Sequence, residues 1–375
     1  MKFDIPKVPY DLIAKQRNIR RRLCDGDYDL GNPVVSIGWP LEIDNRLDIN
    51  GGSPYNSPDI VRLVHDPEFD VQYQLRAVRH QIECLEASEE VGHVLDNCPA
   101  FDLVHFGTGP LATAFGAQMI LREGMQPAFE PAVHTPEDVM RLEKPDLFKD
   151  GVCPKILERI EFYNEATQGK IIISPCDAAG PWSVASSIWH YEDMLEAIYT
   201  VPQAVHRLLD MVTECLIEWW NIQETYIGRW GRSHSLGAPF SPRGVFIGDD
   251  CMVAVSPQTW EEFFMPYNNR LSREYGNFIN YHCCMRYDTH FESIVKTDGF
   301  AGFDAQPAYN DFNKIASTLE KVHGIWTRSC GPADKDFIRR LRGKVGMQFL
   351  VNGKNRADAI QQTRDFLAFL TDSNS

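Results

Sequence analysis

Short apolar runs rich in β-branched residues alternate with longer amphipathic stretches from about residue 170 onward. The runs predict strands at residues 171–174, 244–247, 278–281, 301–303, 325–328 and 347–351. The stretches between them predict helices at residues 194–226 with a break at Pro202, and at 259–274, 289–296, 313–321, 334–341 and 356–370. Strands that alternate with helices in this way indicate parallel βαβ units.

Two further apolar runs in the first half, residues 33–37 and 103–106, bring the predicted strands to eight, the number that closes a parallel barrel. Residues 118–131 are expected to form an excursion over the mouth of that barrel. We therefore predict an α/β fold with one domain over residues 1–375, a (β/α)8 TIM barrel, on which residues 1–32 pack as an N-terminal extension. A doubly wound open sheet is the alternative, but the chain has no GxGxxG segment to support it.

Charge and hydropathy narrow the classes of function. The formal net charge of −15 repels phosphate backbones, so we expect no nucleic-acid partner. No segment approaches the roughly 20 consecutive apolar residues that span a bilayer, and residues 1–15 lack the apolar stretch of a secretory signal. We expect a cytoplasmic protein with a small-molecule substrate and no membrane partner. The oligomeric state stays open, with a homodimer as one alternative.

The one basic run of the chain covers residues 15–22 and allows two interpretations. It fits the solvated face of a first helix. It also fits an anion site in which Arg20 and Arg21 bind substrate carboxylates or phosphates, because a guanidinium group offers a fixed fork of donors.

Several segments between residues 100 and 350 resemble the uroporphyrinogen decarboxylase (URO-D) superfamily. Residues 180–186, GPWSVAS, are similar to its GP-aromatic-S/T-x-A-S segment and precede a helix over residues 202–213 of the family's P-x-x-V-x-x-L-L type. Residues 248–267 resemble its DD…SP…F…PY stretch, residues 281–284 its H-x-C strand end, and residues 114–117 its first-half glycine segment. The order and spacing of these segments make the combination specific.

The resemblance implies the barrel and two branches of function. One branch decarboxylates the acetate side chains of uroporphyrinogen without a cofactor. The other transfers a methyl group to or from a corrinoid, often at a zinc ion held by thiolate or histidine. The choice between the branches depends on the residues of the site.

Adjacent carboxylates, Asp249 and Asp250, follow the predicted strand at residues 244–247. A carboxylate at the carboxyl end of a barrel strand faces the mouth, where active sites of this fold lie. Asp also favours turns and helix caps, which is the structural alternative. Neighbouring residues cannot both point inward, so we expect one of the two to be functional and prefer Asp250.

A histidine and two cysteines end the next predicted strand. Side chains alternate along a strand, so His282 and Cys284 share one face and Cys283 points away. Imidazole nitrogen and thiolate sulfur are both suited to zinc. A hydrogen-bonded core histidine beside buried cysteines is the structural alternative.

A zinc site needs at least three protein ligands. The zinc methyltransferases carry a further Cys near the last strand, whereas the matching residues 350–354 of this chain, LVNGK, contain none. Cys330 follows the predicted strand at 325–328 and is the substitute. The predicted metal ligands are Asp250, His282, Cys284 and Cys330.

The decarboxylase branch places a catalytic Asp in an F-x-D-I-L-V segment, which residues 101–104, FDLV, resemble. Asp102 would there stabilise a protonated intermediate electrostatically. The arginine motif R-Q-A-G-R-Y of that branch is absent. Aromatic residues near the proposed mouth fit either a core or the walls of a site for a flat ligand. The predicted substrate-binding residues are Trp182, Trp189, Phe246, Tyr281, Arg20 and Arg21.

The function favoured by these features is a URO-D superfamily methyltransferase that moves a methyl group between a small methylated substrate and a corrinoid on a partner protein, in an O-demethylase type of reaction. Zinc and the corrinoid are its expected cofactors. Its predicted catalytic residues are Asp102, Asp249, Asp250 and His282. The alternatives are a decarboxylase acting on uroporphyrinogen or a related polycarboxylate, and a ligand-binding barrel without catalytic activity.

Overall fold

Parallel strands separated by helices form the centre of the protein. The structure, a computed structural model, describes residues 3–28, 34–43, 46–48, 57–91, 99–177, 179–228, 244–305, 309–322, 325–328 and 335–371. The strands are β1 (Val34–Gly38), β2 (Leu41–Ile43), β3 (Arg46–Asp48), β4 (Ala100–Phe101), β5 (Gln118–Ile120), β6 (Ala128–Glu130), β7 (Ile172–Ile173), β8 (Val245–Gly248), β9 (Ile279–Cys283), β10 (Phe300–Ala305), β11 (Ile325–Arg328) and β12 (Gly346–Asn352).

Six of these strands form one parallel sheet in the order β1-β12-β11-β10-β9-β8. Strands β4 and β7 form a second parallel pair. All four residues of β8 are buried, as expected for a parallel strand covered on both faces. Among the described residues, no strand pairing joins the two parallel groups into a closed ring. The fold is therefore a mixed helix and strand arrangement built on parallel strands.

Helices follow most of the parallel strands. They are α1 (Tyr10–Cys24), α2 (Ile60–His65), α3 (Pro67–Glu90), α4 (Pro110–Ala114), α5 (Pro136–Arg141), α6 (Cys153–Thr167), α7 (Pro181–Ile188), α8 (Tyr191–Thr200), α9 (Pro202–Ile227), α10 (Pro257–Phe263), α11 (Met265–Glu274), α12 (Phe291–Ile294), α13 (Phe312–Val322), α14 (Lys335–Leu341) and α15 (Arg356–Thr371). The predicted break at Pro202 is confirmed, because this proline is the first residue of α9.

Local sequence signals explain several helix starts. The Ser256 side chain accepts a hydrogen bond from the Thr259 backbone N–H, and Pro257 begins α10. Thr135 and Asp138 form a reciprocal capping box at the start of α5. Among the described residues, no helix combines the length and the apolar character needed to cross a bilayer.

One predicted strand is wrong. Residues 103–106 do not form a strand; β4 ends at Phe101 and a 3-10 turn covers Val104–Phe106. The Asp102 carboxylate accepts a hydrogen bond from the Val104 N–H at 3.1 Å, and this contact ends the extended backbone. The run is apolar because Leu103, Val104 and Phe106 are buried in the turn, so burial alone does not identify a strand.

The segment predicted as an excursion forms an antiparallel hairpin of β5 and β6. Its outer residues are largely exposed. The backbone after the hairpin forms a parallel bridge between Val133 and Trp189, next to the start of α8. This bridge positions a group of side chains described below.

Candidate functional site

The carboxyl ends of β8, β9 and β10 meet at one edge of the six-stranded sheet. Gly248 of β8 lies opposite His282 of β9, and His282 lies opposite Asp304 of β10. The Asp249 N–H donates to the His282 carbonyl at 3.0 Å, which extends the pairing by one residue. The chain then turns into a short 3-10 helix that begins at Asp250. Residues that end three neighbouring strands are therefore brought side by side.

Three of the predicted metal ligands converge at this edge. The ligand atoms of Asp250, His282 and Cys284 all lie within 4.8 Å of one another. His282 Nε2 lies 2.9 Å from Cys284 Sγ, and the Cys284 backbone N–H donates to the Asp250 carboxylate. Cys283 is fully buried whereas Cys284 is exposed, which confirms the predicted alternation of the two cysteines. The fourth predicted ligand, Cys330, lies outside the described residues.

Asp304 orients the histidine of this cluster. His282 Nδ1 lies 2.7 Å from the Asp304 carboxylate, to which it donates, so that Nε2 faces the cluster. Burial lowers the pKa of His282, but the hydrogen bonds to Asp304 and Cys284 raise it by more than burial lowers it. The net pKa of His282 therefore lies well above the usual range. A carboxylate behind a histidine is the arrangement that fixes the tautomer and ring orientation of metal-binding histidines.

Asp249 occupies a different environment from Asp250. Its side chain is fully buried, accepts a hydrogen bond from Asn268 Nδ2 at 3.2 Å and lies 3.4 Å from the Ser183 hydroxyl. Burial raises the pKa of Asp249 to about 7, although the hydrogen bond from Asn268 acts in the opposite direction. Asp249 thus ties α7 and α11 to the end of β8, while Asp250 faces the cluster. The preference for Asp250 as the functional residue stays a prediction.

The geometry of the cluster fits a zinc ion. A tetrahedral site with Zn–S near 2.3 Å and Zn–N near 2.0 Å separates nitrogen and sulfur by roughly 3.5 Å. The observed 2.9 Å between His282 and Cys284 is roughly half an ångström shorter, a change within reach of a small side-chain rotation. Imidazole, thiolate and carboxylate together supply three ligands, the number that catalytic zinc sites use beside an open position.

The four predicted substrate-binding aromatic residues are buried. Trp182 stacks on Phe264 with ring centroids 4.4 Å apart, and the Tyr281 hydroxyl donates to Thr297. Trp189 and Phe246 are no more than 3% exposed. These side chains pack in the protein interior, and their contact with a substrate stays a prediction.

The remaining predicted site residues, Asp102, Arg20 and Arg21, lie outside the cluster at Asp250. The Asp102 backbone N–H donates to the Gln74 side chain, in addition to the turn that its carboxylate forms. Arg20 is buried on α1 and donates to Gln348 of β12, whereas Arg21 is exposed. The predicted anion site at the basic run and the catalytic role of Asp102 stay predictions.

Asp304, which orients His282, was not predicted as a site residue. A signal was present, because Asp304 directly follows the predicted strand at 301–303 and strand ends carry the sites of this fold. Its importance depends on register: β9 and β10 are neighbours and place Asp304 opposite His282. The sequence does not reveal which of its many carboxylates has such a partner.

Comparison with known proteins finds a family model that matches about a third of the chain. The family model described as uroporphyrinogen decarboxylase (URO-D) matches residues 105–226. That range includes the GPWSVAS segment and the helix at 202–213, and it precedes the cluster at Asp250. The resemblance to the URO-D superfamily is confirmed.

Two methyltransferases of Methanosarcina mazei are similar to this chain. One is a curated protein, a methylated-thiol–coenzyme M methyltransferase, which is 28% identical over 150 residues. The match covers 40% of this chain and 36% of that protein, so it spans about a third of the relative's length. The other is a solved structure of a methyltransferase, with a TM-score of 0.57, 16% identity, and coverage of 93% of this chain and 96% of that chain. At that identity the solved structure shows a likeness of fold alone.

Proposed function

Because the chain resembles the URO-D superfamily, and its methyltransferase branch in particular, we propose that it moves a methyl group between a small methylated compound and a corrinoid carried by a partner protein. The observation that carries the proposal is the convergence of Asp250, His282 and Cys284 at the carboxyl ends of adjacent strands. Three unlike metal-binding groups within 4.8 Å favour a metal-assisted transferase over a binding protein without chemistry.

The same proposal includes closure of the parallel strands into an eight-stranded barrel. The eight strands are β1, β4, β7, β8, β9, β10, β11 and β12. Two hydrogen bonds beyond the ends of the short strands support closure: Gly180 N–H donates to the Gly248 carbonyl at 2.8 Å, and Ala179 N–H donates to the Thr108 carbonyl at 3.3 Å. The solved methyltransferase, similar over nearly the whole chain, supports the same arrangement.

Zinc would be held by Asp250, His282 and Cys284, with Cys330 as a fourth ligand. Bound zinc supplies Lewis acidity to the sulfur or oxygen atom that gains or loses the methyl group. Asp304 accepts a hydrogen bond from His282 Nδ1–H, which would leave the Nε2 lone pair to bind the ion. The alignment of Asp250 with the cluster depends on the Cys284 backbone N–H, which binds its carboxylate.

The site and the similar protein support a proposal for the substrate class. A thiolate-containing zinc site binds soft sulfur ligands well, and the relative acts on methylated thiols according to its name. We therefore propose a methylated thiol or a related small methyl compound as the methyl donor. A bound corrinoid would supply the demanding methyl chemistry, as cofactors generally do, and the residues at the strand ends would hold the methyl donor beside it.

The test combines metal content with methyl transfer. Wild-type protein, H282A, C284S and the control M285A are purified without chelators and dialysed against a weak chelator. Met285 is the matched control because it is exposed and adjoins Cys284 without contributing a predicted ligand. Demethylation of methylcobalamin by a small thiol is then followed by the absorbance of the corrinoid.

We expect wild-type protein and M285A to retain about one equivalent more zinc than H282A and C284S. H282A and C284S should also lose at least about 99% of the rate, a larger effect than removal of a residue that merely contacts a ligand. Full zinc and full rate in H282A would overturn the site assignment. Cofactor-free decarboxylation of a porphyrinogen that depends on Asp102, tested with D102N, would favour the decarboxylase alternative instead.

A further inference from the structure

A second group of metal-binding side chains lies apart from the cluster at Asp250 and shares no residue with it. The ligand atoms of His134, His190 and Asp193 all lie within 4.8 Å of one another. His190 Nδ1 is 3.3 Å and His134 Nδ1 is 3.8 Å from the same oxygen, Asp193 Oδ2. The two imidazole rings are 5.6 Å apart and inclined by 31°. Two nitrogens and one carboxylate oxygen therefore face a common point.

The backbone fixes this arrangement. Val133 and Trp189 form a parallel bridge, and the His190 N–H donates to the Val133 carbonyl at 2.8 Å. Both bridge residues are buried, so the histidines that follow them leave the core side by side. Asp193 lies in the first turn of α8, three residues after His190. One ligand from the segment after β6 thus meets two from the start of α8.

The distances, which are also those of ion pairs, fit a metal site. In a tetrahedral zinc site, ligand bonds near 2.0 Å separate nitrogen and oxygen by roughly 3.3 Å. The His190 separation of 3.3 Å equals that value, and the His134 separation of 3.8 Å is 0.5 Å longer. Nδ1 of His190 is shielded from solvent and forms no hydrogen bond with any described residue. A shielded nitrogen 3.3 Å from Asp193 Oδ2 that forms no hydrogen bond is a group whose lone pair a bound ion would satisfy.

We propose that His134, His190 and Asp193 bind a divalent transition-metal ion of the Zn²⁺ class. Imidazole and carboxylate are ligands that such ions accept, and three protein ligands leave one position for water. The helix dipole disfavours a cation at the start of a helix. Glu192 and Asp193 place two carboxylates in the first turn of α8, and their negative charge offsets this unfavourable interaction. The ion would tie the segment after the β5–β6 hairpin to α8.

The experiment isolates this site in full-length C284S, in which the thiolate of the other cluster is absent. Zn²⁺ binding is measured by competition with a chromophoric chelator in C284S, C284S/H134A, C284S/D193N and C284S/H65A. His65 is the matched control, because it is an exposed histidine whose Nδ1 contacts Lys155 and no other histidine. Thermal unfolding of each variant with and without Zn²⁺ provides a second measurement, since an ion that binds only the folded chain raises Tm.

We expect C284S and C284S/H65A to bind Zn²⁺ equally and to show the same rise in Tm. C284S/H134A and C284S/D193N should bind at least about tenfold more weakly and lose the Tm shift. Equal affinity in all four variants would overturn the proposal, as would no binding in C284S. Co²⁺ distinguishes the two sites in wild-type protein, because only the Cys284 site gives a sulfur-to-metal charge-transfer band. If C284S loses the band but still binds Co²⁺, the site at His134 exists independently of the cluster at Asp250. If the band is absent in wild-type protein while Co²⁺ still binds, the cluster at Asp250 fails and the site at His134 stands.

Discussion

Two clusters of polar groups, one in the interior and one at the strand ends, have similar chemistry and opposite arrangements. In the interior, Asp70 receives hydrogen bonds from Arg159, Tyr163 and Gln74, and His105 Nε2 lies 3.4 Å from its carboxylate. Arg159 also donates to the backbone carbonyls of α2 at 2.8 Å and 3.0 Å. Apart from His105 Nδ1, which forms no hydrogen bond with any described residue, these groups satisfy one another and join α2, α3 and α6.

At the strand ends, the groups instead face a common point. Asp250, His282 and Cys284 direct one ligand atom each toward it, and Asp304 supports the histidine from behind. Cys284 is exposed, and His282 and Asp304 are partly exposed. The comparison teaches that the degree to which polar groups are hydrogen-bonded to one another separates structural from functional clusters. Charges that are hydrogen-bonded to one another stabilise the fold, whereas converging ligand groups with solvent access are suited to bind an ion.

The largest effect is expected from breaking the interior cluster. D70A leaves Arg159 buried without its countercharge, which should lower the free energy of unfolding by about 3–5 kcal/mol. Urea denaturation measures the change, and zinc content of the folded protein should remain that of wild type. E89A is the control, because the exposed pair of Glu89 with Lys15 contributes less than about 1 kcal/mol. If D70A does not fold, D70N serves in its place; equal effects of D70N or D70A and E89A would contradict the interpretation.

Acid should weaken the interior cluster through His105. Burial lowers the pKa of His105 from 6.5 to about 4, more than the nearby Asp70 charge raises it. The unfolded state therefore binds more protons between these values, so the contribution is fully present above pH 6.5 and is lost as pH falls toward 4. Urea denaturation at several pH values should show a loss of roughly 3 kcal/mol in wild type relative to H105Q. Parallel pH profiles of the two proteins would show that His105 does not titrate in this way.

At the strand ends, D304N should weaken metal binding while leaving the fold intact. A neutral amide holds the His282 ring less firmly, and loss of such a carboxylate lowers metal affinity by about 10- to 100-fold. A competition titration with a zinc chelator measures the change. D298N is the control, since Asp298 forms an exposed pair with Arg273 elsewhere. Unchanged affinity in D304N would remove Asp304 from the site.

The smallest expected effect is the difference in the free energy of unfolding between serine variants of two adjacent cysteines, Cys283 and Cys284. In metal-free protein, C284S should change the free energy of unfolding by less than about 0.5 kcal/mol, as exposed substitutions do. C283S places a more polar hydroxyl at a fully buried position, where the Met285 N–H is a donor to the side chain. A buried polar group that is not fully hydrogen-bonded costs about 1–3 kcal/mol. Chemical denaturation of both variants with chelator present gives the comparison. A large loss of stability in C284S would mean that its thiol supports the fold.

The alternation along β9 shows how much of the site could be predicted from local sequence. A strand period of two separates Cys283 from Cys284 and places Cys284 beside His282. The position of Asp250 follows likewise from its place after β8. The strand expected at 103–106 was wrong because Asp102 ends the extended backbone through a side-chain contact, which competes with the strand pattern of the neighbouring apolar residues.

The contribution of Asp304 and the pairing of Asp70 with Arg159 could not be predicted in this way. Asp70 and Arg159 are 89 residues apart, and the bridge at Val133 brings His134 to His190 from another part of the chain. No local period connects such residues, because packing and strand register decide which distant side chains become neighbours.

The sequence by itself determined the parallel α/β pattern, the family resemblance and the placement of Asp250, His282 and Cys284 at strand ends, because hydrophobic period and strand alternation are properties of neighbouring residues. Only the tertiary structure decided which carboxylate supports His282, which charges neutralise one another in the interior and which two histidines share an aspartate. Those outcomes depend on strand register and helix packing, which bring together groups that are far apart along the chain.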